Sequence, residues 1–253
     1  MPNWNKEYFK SLEDKFENIS SGLEKRVDDV VNGRVAPSIN DIKIGSGRKL
    51  DAAVLFFDIR GFTNRTNSSD INKLKETLFM LDCVIPMVMQ IVYDFNGYIE
   101  KNTGDGIMAI IGLEDSKETA SRNALSVATI IFSVLKNIIN PYLETKKIQK
   151  VDARIGIDYG DLIVARIGLP NGTSQYDRNF LTVVGPTPNI ASKIQHLAGT
   201  NQIYVGNEIY KHVEEYRKPF FKDKTPEDWL WQYTPSNERY KVFLYDAIRN
   251  VPK

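Results

Sequence analysis

Hydrophobic and polar positions change their period several times along the chain, and each change predicts a new element. From Trp4 to Val30 the apolar residues recur at spacings of three and four, the pattern of an amphipathic helix. Asn32 and Gly33 supply a helix stop, so we predict an N-terminal helix over residues 1–33. So narrow an apolar stripe needs a partner, either the domain body or the same helix of a second chain.

The next segment, residues 34–50, has no clear period and contains Pro37, Gly45 and Gly47 among polar residues. This composition predicts an extended linker. From residue 51 strand and helix patterns alternate to the end of the chain, so we predict one domain over residues 51–253.

The alternation within this domain predicts a fold in which helices cross over between strands. We expect the turn Tyr159-Gly160 to separate two strands, and a long helix to stop before Pro141. Such mixing is typical of an α+β or α/β sandwich. The predicted elements are strands at 52–57, 98–100, 107–111, 152–157, 162–167, 181–184, 203–205 and 240–247, with helices at 71–95, 116–139 and 189–197. Residues 214–239, rich in Trp and Tyr, match no motif, and we expect them to pack onto the domain body or a dimer.

Composition narrows the possible functions. The 33 basic residues nearly balance the 32 acidic ones, so charge gives no reason to expect a nucleic-acid or membrane partner. One cysteine excludes an intrachain disulfide framework and a thiolate metal cluster, and two histidines exclude a histidine-rich zinc site. We find no apolar run of about 18 residues and no apolar signal core at the N-terminus, and therefore expect a cytoplasmic protein.

Two carboxylates are the candidate catalytic groups. Asp58 follows the apolar run that ends at Phe57, and Asp105 lies at the glycine-rich tip of a predicted hairpin. Carboxylates on neighbouring strand ends suit hard divalent cations, which also bind substrate phosphates. The alternative is a helix cap at Asp58 and a turn residue at Asp105.

Gly61-Phe62-Thr63 follows Asp58 at a predicted strand-to-helix turn. Gly61 would let the backbone approach a ligand closely, and Thr63 would cap the helix. Amide groups at a helix start are a natural seat for a triphosphate, although any strand-to-helix turn can carry Gly and Thr.

Four motifs in order resemble the catalytic domain of class III nucleotidyl cyclases. Two resemble the metal motifs of that family, one its central strand and turn, and one the entry to its catalytic helix. They are VLFFDIRGFT at residues 54–63, GYIEKNTGDG at 97–106, RIGIDYG at 154–160 and VVGPTPNIASK at 183–193.

The resemblance implies a ferredoxin-like α+β core, with a central mixed sheet flanked by helices, that forms a head-to-tail homodimer with active sites at the interface. Asp58, Asp105 and the backbone carbonyl of Ile59 would hold two Mg²⁺ or Mn²⁺ ions. The implied reaction converts a nucleoside triphosphate to a 3′,5′-cyclic nucleotide and pyrophosphate. Asn189 would orient the ribose, and Lys193 stands where most members have an arginine that stabilises the reacting phosphate.

Lys193 and Pro188 depart from the common family pattern. A lysine is a point donor without the planar fork of arginine, so one alternative is a cyclase-like sensor without turnover. The other is a subfamily that uses lysine, because both departures, together with the proline-containing linker, are similar to the bacterial Pycsar-type pyrimidine cyclases. That resemblance implies a second messenger in antiphage defence, read by a receptor that is a separate chain.

Base selection is where the motifs conflict. Lys101 and Thr182 occupy the family's base-reading positions in a pattern also typical of bacterial adenylate cyclases. The Lys101 ammonium only donates hydrogen bonds, so it suits adenine N1, a uracil carbonyl or cytosine, unless it is simply a solvated hairpin lysine. Phe56 would line the pocket and favour a small pyrimidine. We predict UTP, with ATP as the alternative. Arg166 flanks a loop over residues 168–179 that we expect to be a mobile lid or a triphosphate clamp, and we expect Arg166 to bind substrate.

Overall fold

The structure is a computed structural model that describes residues 31–32, 42–67, 69–168, 179–234 and 236–247. Most of the predicted N-terminal helix and the start of the predicted linker lie outside these residues. The described residues fall into two compact units: those within 51–162 and 185–253 make up the larger, and those within 1–50 and 163–184 the smaller.

The elements are numbered here in chain order. The strands are β1 (Val31–Asn32), β2 (Gly47–Ile59), β3 (Tyr98–Asn102), β4 (Gly106–Ile111), β5 (Ala153–Gly168), β6 (Asn179–Val184), β7 (Gln202–Gly206), β8 (Phe221–Asp223) and β9 (Val242–Tyr245). The helices are α1 (Phe62–Thr66), α2 (Ile71–Asp94), α3 (Lys117–Val134), a π-helical turn (Leu135–Ile139), α4 (Asn140–Thr145), α5 (Pro186–Leu197), α6 (Asn207–His212) and a 3₁₀ helix (Glu215–Phe220).

The larger unit contains a mixed sheet with the strand order β3-β4-β2-β5-β7-β9-β8. β2 pairs antiparallel with β4, and β5 pairs parallel with β7. Alternate residues of β2, namely Ala53, Leu55, Phe57 and Ile59, are buried in the main core together with side chains of α2 and α3. The period of two places these side chains on one face of the strand, and Ala52 and Val54 on the other face are buried as well. The predicted α+β fold, a mixed sheet flanked by helices, is confirmed.

The smaller unit contains the remaining residues of β2 and β5. β1 pairs parallel with β2 at Arg48 and Lys49, and β5 pairs antiparallel with β6. Two boundary predictions were therefore wrong. Val31–Asn32 is a strand and not the end of a helix, and Gly47–Leu50 belongs to β2 and not to a linker, because both stretches are taken up by strand pairing.

Two further predictions failed where tertiary pairing overrode a local signal. The predicted turn at Tyr159-Gly160 is absent, and residues 153–168 form one strand. Its first half pairs with β7 and its second half with β6, so ladder hydrogen bonds outweigh the turn preference. The second long helix does not stop before Pro141. The chain passes through the π-helical turn, and Pro141 lies in the first turn of α4, where its missing N–H costs little.

Two helical stretches, Ile71–Asp94 and Lys117–Thr145, are long and apolar enough to cross a membrane by length and composition. Neither stretch is an unbroken apolar run, because charged residues interrupt both. Both contribute buried side chains to the main core, as core helices of water-soluble domains also do, so the finding is weak evidence for a membrane span.

The aromatic segment that matched no motif packs onto α5. Trp229, Trp231 and Tyr233 lie against a second buried cluster, whose members on α5 are Ile190 and Ile194. The expected packing onto the domain body is confirmed. The same cluster includes Val242 of β9 and Tyr204 of β7, so the aromatic segment packs against both α5 and this part of the sheet.

A buried carboxylate connects this segment to β5. Asp158 is 1% exposed, and the Tyr240 hydroxyl donates a hydrogen bond of 2.5 Å to its Oδ1. Burial raises the pKa of Asp158 to about 8, although hydrogen bonds from Tyr240 and from the Tyr159 backbone favour the charged form and Glu208 disfavours it. Asp158 is therefore largely protonated at neutral pH.

Candidate functional site

Asp58 and Asp105 come together at one end of the sheet. Asp58 lies near the end of β2 and pairs across the ladder with Gly106, the residue that follows Asp105. The backbone N–H of Ile59 donates to the carbonyl of Asp105 at 3.1 Å. A Cβ on Gly106 would lie 3.0 Å from the carbonyl oxygen of Phe57 and 3.6 Å from Asp58 Oδ1, so glycine keeps this space open.

Asp58 belongs to a strand, and the alternative of a helix cap is excluded. Asp105 does lie in the turn between β3 and β4. Burial raises the pKa of Asp105, its own backbone hydrogen bond and Arg154 lower it, and the negative charge of Asp58 raises it further. The two carboxylates therefore repel each other, an arrangement that a cation would relieve.

Arg154 is the functional candidate that the sequence analysis missed as an individual residue. Its Nε lies 2.8 Å from Asp58 Oδ2, and both side chains are largely buried, 16% and 27% exposed. Its Nη1 also donates to the carbonyl of His196 at the C-terminal end of α5, at 3.5 Å. The available signal was an arginine inside a strand whose neighbours Ala153 and Ile155 are apolar.

The residues at this end of the sheet fit a divalent metal. The donor set of Asp58, Asp105 and the Ile59 carbonyl consists of oxygen only, which Mg²⁺ and Mn²⁺ prefer. Across the described ranges no group of three or more His, Cys, Asp or Glu side chains could hold a metal ion. The protein thus offers two carboxylates, and further ligands would come from backbone, water and substrate phosphates.

Phe56 and Lys101 lie on the same face of the sheet as Asp58. The ladders pair Phe56 with Met108, and Met108 with Lys101, so the three form a row across β2, β4 and β3. Residues directly opposite in an antiparallel pair point to the same face. Met108 is buried between the other two, and sequence reasoning did not identify it.

The predicted phosphate turn has a different geometry from the one expected. Gly61 adopts the left-handed conformation, with φ of 69°, and is itself the N-cap of α1. Thr63 lies inside the helix and is exposed, so the prediction that it caps α1 was wrong. Phe62 is half-buried and packs against the main core. Binding of a triphosphate by these residues stays a prediction.

Asn189 and Lys193 project from the exposed side of α5. They lie one turn apart, and the opposite side of the helix buries Ile190 and Ile194. The helix packs tightly on β5 at Gly156, where a Cβ would lie 2.3 Å from the backbone nitrogen of Gln195. Their predicted roles are compatible with this exposure, but neither is tested by it.

Arg166 and Thr182 belong to the smaller unit and lie on opposite faces of the β5–β6 pair. Arg166 pairs with Leu181 and Thr182 with Ala165. Arg166 Nη1 donates to the carbonyl of Ile42 at 3.3 Å, so the arginine holds the segment before β2. Thr182 is buried. Their predicted roles towards a triphosphate and a base stay predictions.

The face of this pair that carries Thr182 also presents large apolar side chains to solvent. Ile167 and Phe180 are directly opposite each other, and Val184 lies further along β6. All three are about half exposed. Apolar side chains paired across strands and left uncovered in this way are typical of an interaction surface.

A cavity of about 610 Å³ lies in the larger unit, between the end of α3 with the π-helical turn and one end of β7 and β9. None of the predicted site residues lines it.

Comparison with known proteins gives consistent matches. A family model described as the adenylate and guanylate cyclase catalytic domain matches residues 45–227. A cytidylate cyclase of Escherichia coli is 26% identical over 213 residues, which are 77% of this chain and 43% of that protein. A uridylate cyclase of Gulbenkiania mobilis is 27% identical over 222 residues, 81% of this chain and 83% of that protein.

Solved structures agree on the fold. The crystal structure of the guanylyl cyclase Cya2 has a TM-score of 0.65 at 19% identity, and the match covers 81% of this chain and 96% of that one. The present chain spans about two fifths of the length of the cytidylate cyclases that it matches.

Proposed function

We propose that this chain, which belongs to the adenylate and guanylate cyclase catalytic domain family, cyclises a pyrimidine nucleoside triphosphate, with UTP as the preferred substrate. The products are the 3′,5′-cyclic nucleotide and pyrophosphate. The observation that carries the proposal is the juxtaposition of Asp58, Asp105 and Arg154 at one end of the sheet.

Asp58, Asp105 and the carbonyl of Ile59 would hold two divalent ions, Mg²⁺ or Mn²⁺. Bound there, such ions supply Lewis acidity, which lowers the pKa of the ribose 3′-hydroxyl and offsets the charge of the departing pyrophosphate. The side chains of the protein do the positioning. Arg154, now paired with Asp58, has a guanidinium whose fork matches phosphate oxygens.

The reaction joins the 3′-oxygen of the ribose to the α-phosphorus. The bond from that phosphorus to the bridging oxygen breaks, pyrophosphate leaves with the oxygen, and the hydroxyl proton passes to water. Arg154 orients the triphosphate, Asn189 accepts or donates at the ribose, and the Lys193 ammonium offsets charge on the α-phosphate as a point donor.

The active enzyme in this proposal is a homodimer. Asn189 and Lys193 are exposed on α5, and a second copy of the chain would bring such a pair to the metal carboxylates. The exposed apolar side chains of Ile167, Phe180 and Val184 support a second copy as the cover of the β5–β6 pair.

Base choice in the proposal rests on the row formed by Phe56, Met108 and Lys101. A phenylalanine ring beside a buried methionine narrows the space next to the ammonium, which favours a single-ring base. Thr182 would supply a second polar contact to the base. Relatives named cytidylate and uridylate cyclases support a pyrimidine, and the uridylate cyclase matches over most of its length.

The test is product identification by mass spectrometry after incubating the full chain with Mn²⁺ and each of the four nucleoside triphosphates separately. Cyclic UMP as the main product supports the proposal, and cyclic CMP would change the base but not the pyrimidine class. Cyclic AMP alone would overturn the pyrimidine assignment. Tight nucleotide binding without any product would favour the cyclase-like sensor, for which Lys193 is the motivating residue.

The same proposal includes a biological setting. A cytoplasmic signal made in response to phage infection, read by a separate receptor chain, is what the resemblance to Pycsar-type cyclases implies. Appearance of the cyclic nucleotide in infected cells that carry the protein, and its absence from cells that carry Asp58→Asn, would support this setting.

A further inference from the structure

The strand that carries Lys101 contains a β-bulge. Ile99 pairs with Ala109 and Lys101 pairs with Met108, so Glu100 is an extra residue with no opposite partner in the ladder. Along an unbroken strand, neighbouring side chains alternate between faces, and Lys101 would share the core face with Ile99. The extra residue turns Lys101 to the face of Met108, a re-aiming of side chains that bulges commonly produce.

The Glu100 side chain is buried next to the Lys101 ammonium. Its side chain is 2% exposed, whereas that of Lys101 is 49% exposed, and Oε2 of Glu100 lies 3.3 Å from Nζ of Lys101. A buried carboxylate requires a charged or hydrogen-bonding partner, and a long lysine side chain otherwise samples many rotamers. The pair therefore restrains the position of the ammonium.

Tyr98, a neighbour of Glu100, lies on the face of the sheet that carries Phe56, Lys101 and Asp58. Tyr98 pairs with Ile110, two residues from Met108 on the same strand and hence on the same face. Burial raises the pKa of the Tyr98 hydroxyl, and the negative charge of Glu100 raises it further. The Glu100 carboxylate therefore lies near Tyr98 and Lys101.

We propose that Glu100 is a positioning residue for base recognition: through the ion pair it keeps the Lys101 ammonium where it can donate to an acceptor on the base. The inference rests on the proposed function. Because Glu100 is buried, it acts through Lys101 and does not itself touch the base. Specificity is a difference between affinities, so loss of this restraint should weaken discrimination among bases more than it weakens binding of the shared triphosphate.

The test measures binding as well as turnover. The 3′-deoxy analogues of the four nucleoside triphosphates lack the attacking hydroxyl, so their Kd values in the presence of Mn²⁺ report recognition without any reaction. For Glu100→Gln we expect the Kd of the preferred analogue to rise about tenfold and the other three to change less than twofold. In turnover with the preferred substrate, KM should rise about tenfold and kcat should change less than twofold.

Two further variants separate positioning from a structural role. Lys101→Met should lose the same discrimination, and the double variant should be no worse than Lys101→Met alone, because both act through one contact. Glu100→Met replaces the charge by an apolar side chain of similar volume, a change that buried ion pairs often tolerate, and should behave like Glu100→Gln. Glu76→Gln on the exposed side of α2 is the matched control and should bind and discriminate as the unaltered chain does.

Several results would overturn the inference. Unchanged base discrimination in Glu100→Gln or Glu100→Met would do so, as would an equal loss of affinity for all four analogues. Additive losses in the double variant would show that Glu100 does not act through Lys101. Failure of the proposed function is a separate result: the unaltered chain would then bind the analogues selectively and form no cyclic product.

Discussion

Arg154 and Asp58 form an ion pair in which Nε and Oδ2 are 2.8 Å apart, with both side chains largely removed from solvent. The pair occupies an oxygen that a metal ion would use. The guanidinium favours the charged form of Asp105, whereas the negative charge of Asp58 still raises the pKa of Asp105. Arg154 therefore stabilises the acidic pair. In the proposed function it would exchange Asp58 for phosphate oxygens when a triphosphate binds.

Replacing Arg154 by methionine should lower kcat/KM by at least about 100-fold, because one charge-assisted phosphate contact and the partner of Asp58 are lost together. Steady-state kinetics with the preferred nucleotide checks this. Arg122→Met, at an exposed arginine on α3 that pairs with Glu214, is the control. Equal activity of the two variants would contradict the role assigned to Arg154.

Asp58 and Asp105 should contribute differently to the stability of the folded protein, although we expect activity to need both. Asp58→Asn and Asp105→Asn should each reduce kcat by about 100-fold or more if they hold the metal ions. Asp58→Asn should also lower the free energy of unfolding by about 1 kcal/mol, because it leaves Arg154 without its carboxylate. Asp105→Asn should leave that free energy unchanged or raise it, because it removes a charge that burial and Asp58 disfavour.

Urea unfolding followed by circular dichroism measures these differences, and Asp82→Asn on the exposed side of α2 serves as the reference. The same sign of stability change in both site variants would argue against the repulsion between Asp58 and Asp105.

Phe180→Asp should weaken the proposed homodimer. A charge in place of an exposed ring on the β5–β6 pair has to be desolvated when a second copy covers it, and this is costly. We expect sedimentation velocity to show mostly monomer at concentrations where the unaltered chain is a dimer, together with at least a tenfold loss of activity.

The matched control for this change is Leu230→Asp, since Leu230 is 88% exposed in the larger unit. A monomeric Phe180→Asp protein with full activity would disprove a shared active site, and dimers in both variants would place the interface elsewhere.

The buried Asp158 predicts a pH dependence of stability. Its pKa is about 8 in the folded protein and about 4 in an unfolded chain. Below about pH 4 both states are protonated. Between these two pKa values Asp158 loses its proton in the unfolded chain and keeps it in the folded protein. Rising pH therefore favours unfolding. The contribution of this group to the free energy of unfolding should fall by about 2 kcal/mol from pH 6 to pH 8.

Asp158→Asn keeps an acceptor for the Tyr240 hydroxyl and removes the titration. Denaturant unfolding at pH 6, 7 and 8 should therefore give a difference between the two proteins that shifts in favour of the asparagine variant as pH rises. Parallel stability curves would mean that Asp158 does not bind a proton in the folded state.

How far the sequence predicted the site depends on which residues are considered. Asp58 was found because it follows an apolar run, and Asp105 because it lies at the tip of a predicted hairpin. The two positions meet when the hairpin pairs with the neighbouring strand. Arg154 was not singled out, because a strand position alone does not show which side chain of a neighbouring strand it faces.

The orientation of Lys101 shows a second limit. Strict alternation from Ile99 would have pointed Lys101 into the core, and only the register shift at Glu100 reverses this. Local patterns contain no signal for such a bulge, just as they contain none for the pairing that keeps β5 continuous through Gly160. The prediction of the fold class was nevertheless correct, because fold class depends on the order of the elements along the chain and not on the register of any one strand pair.

The cluster that joins Trp229, Trp231 and Tyr233 to Ile190 and Ile194 lies just beyond residue 227, where the match to the family model ends. A shortened protein that stops at that boundary would therefore expose the apolar side of the helix that bears Asn189 and Lys193. The limits of sequence similarity are thus a poor guide to where this chain can be shortened.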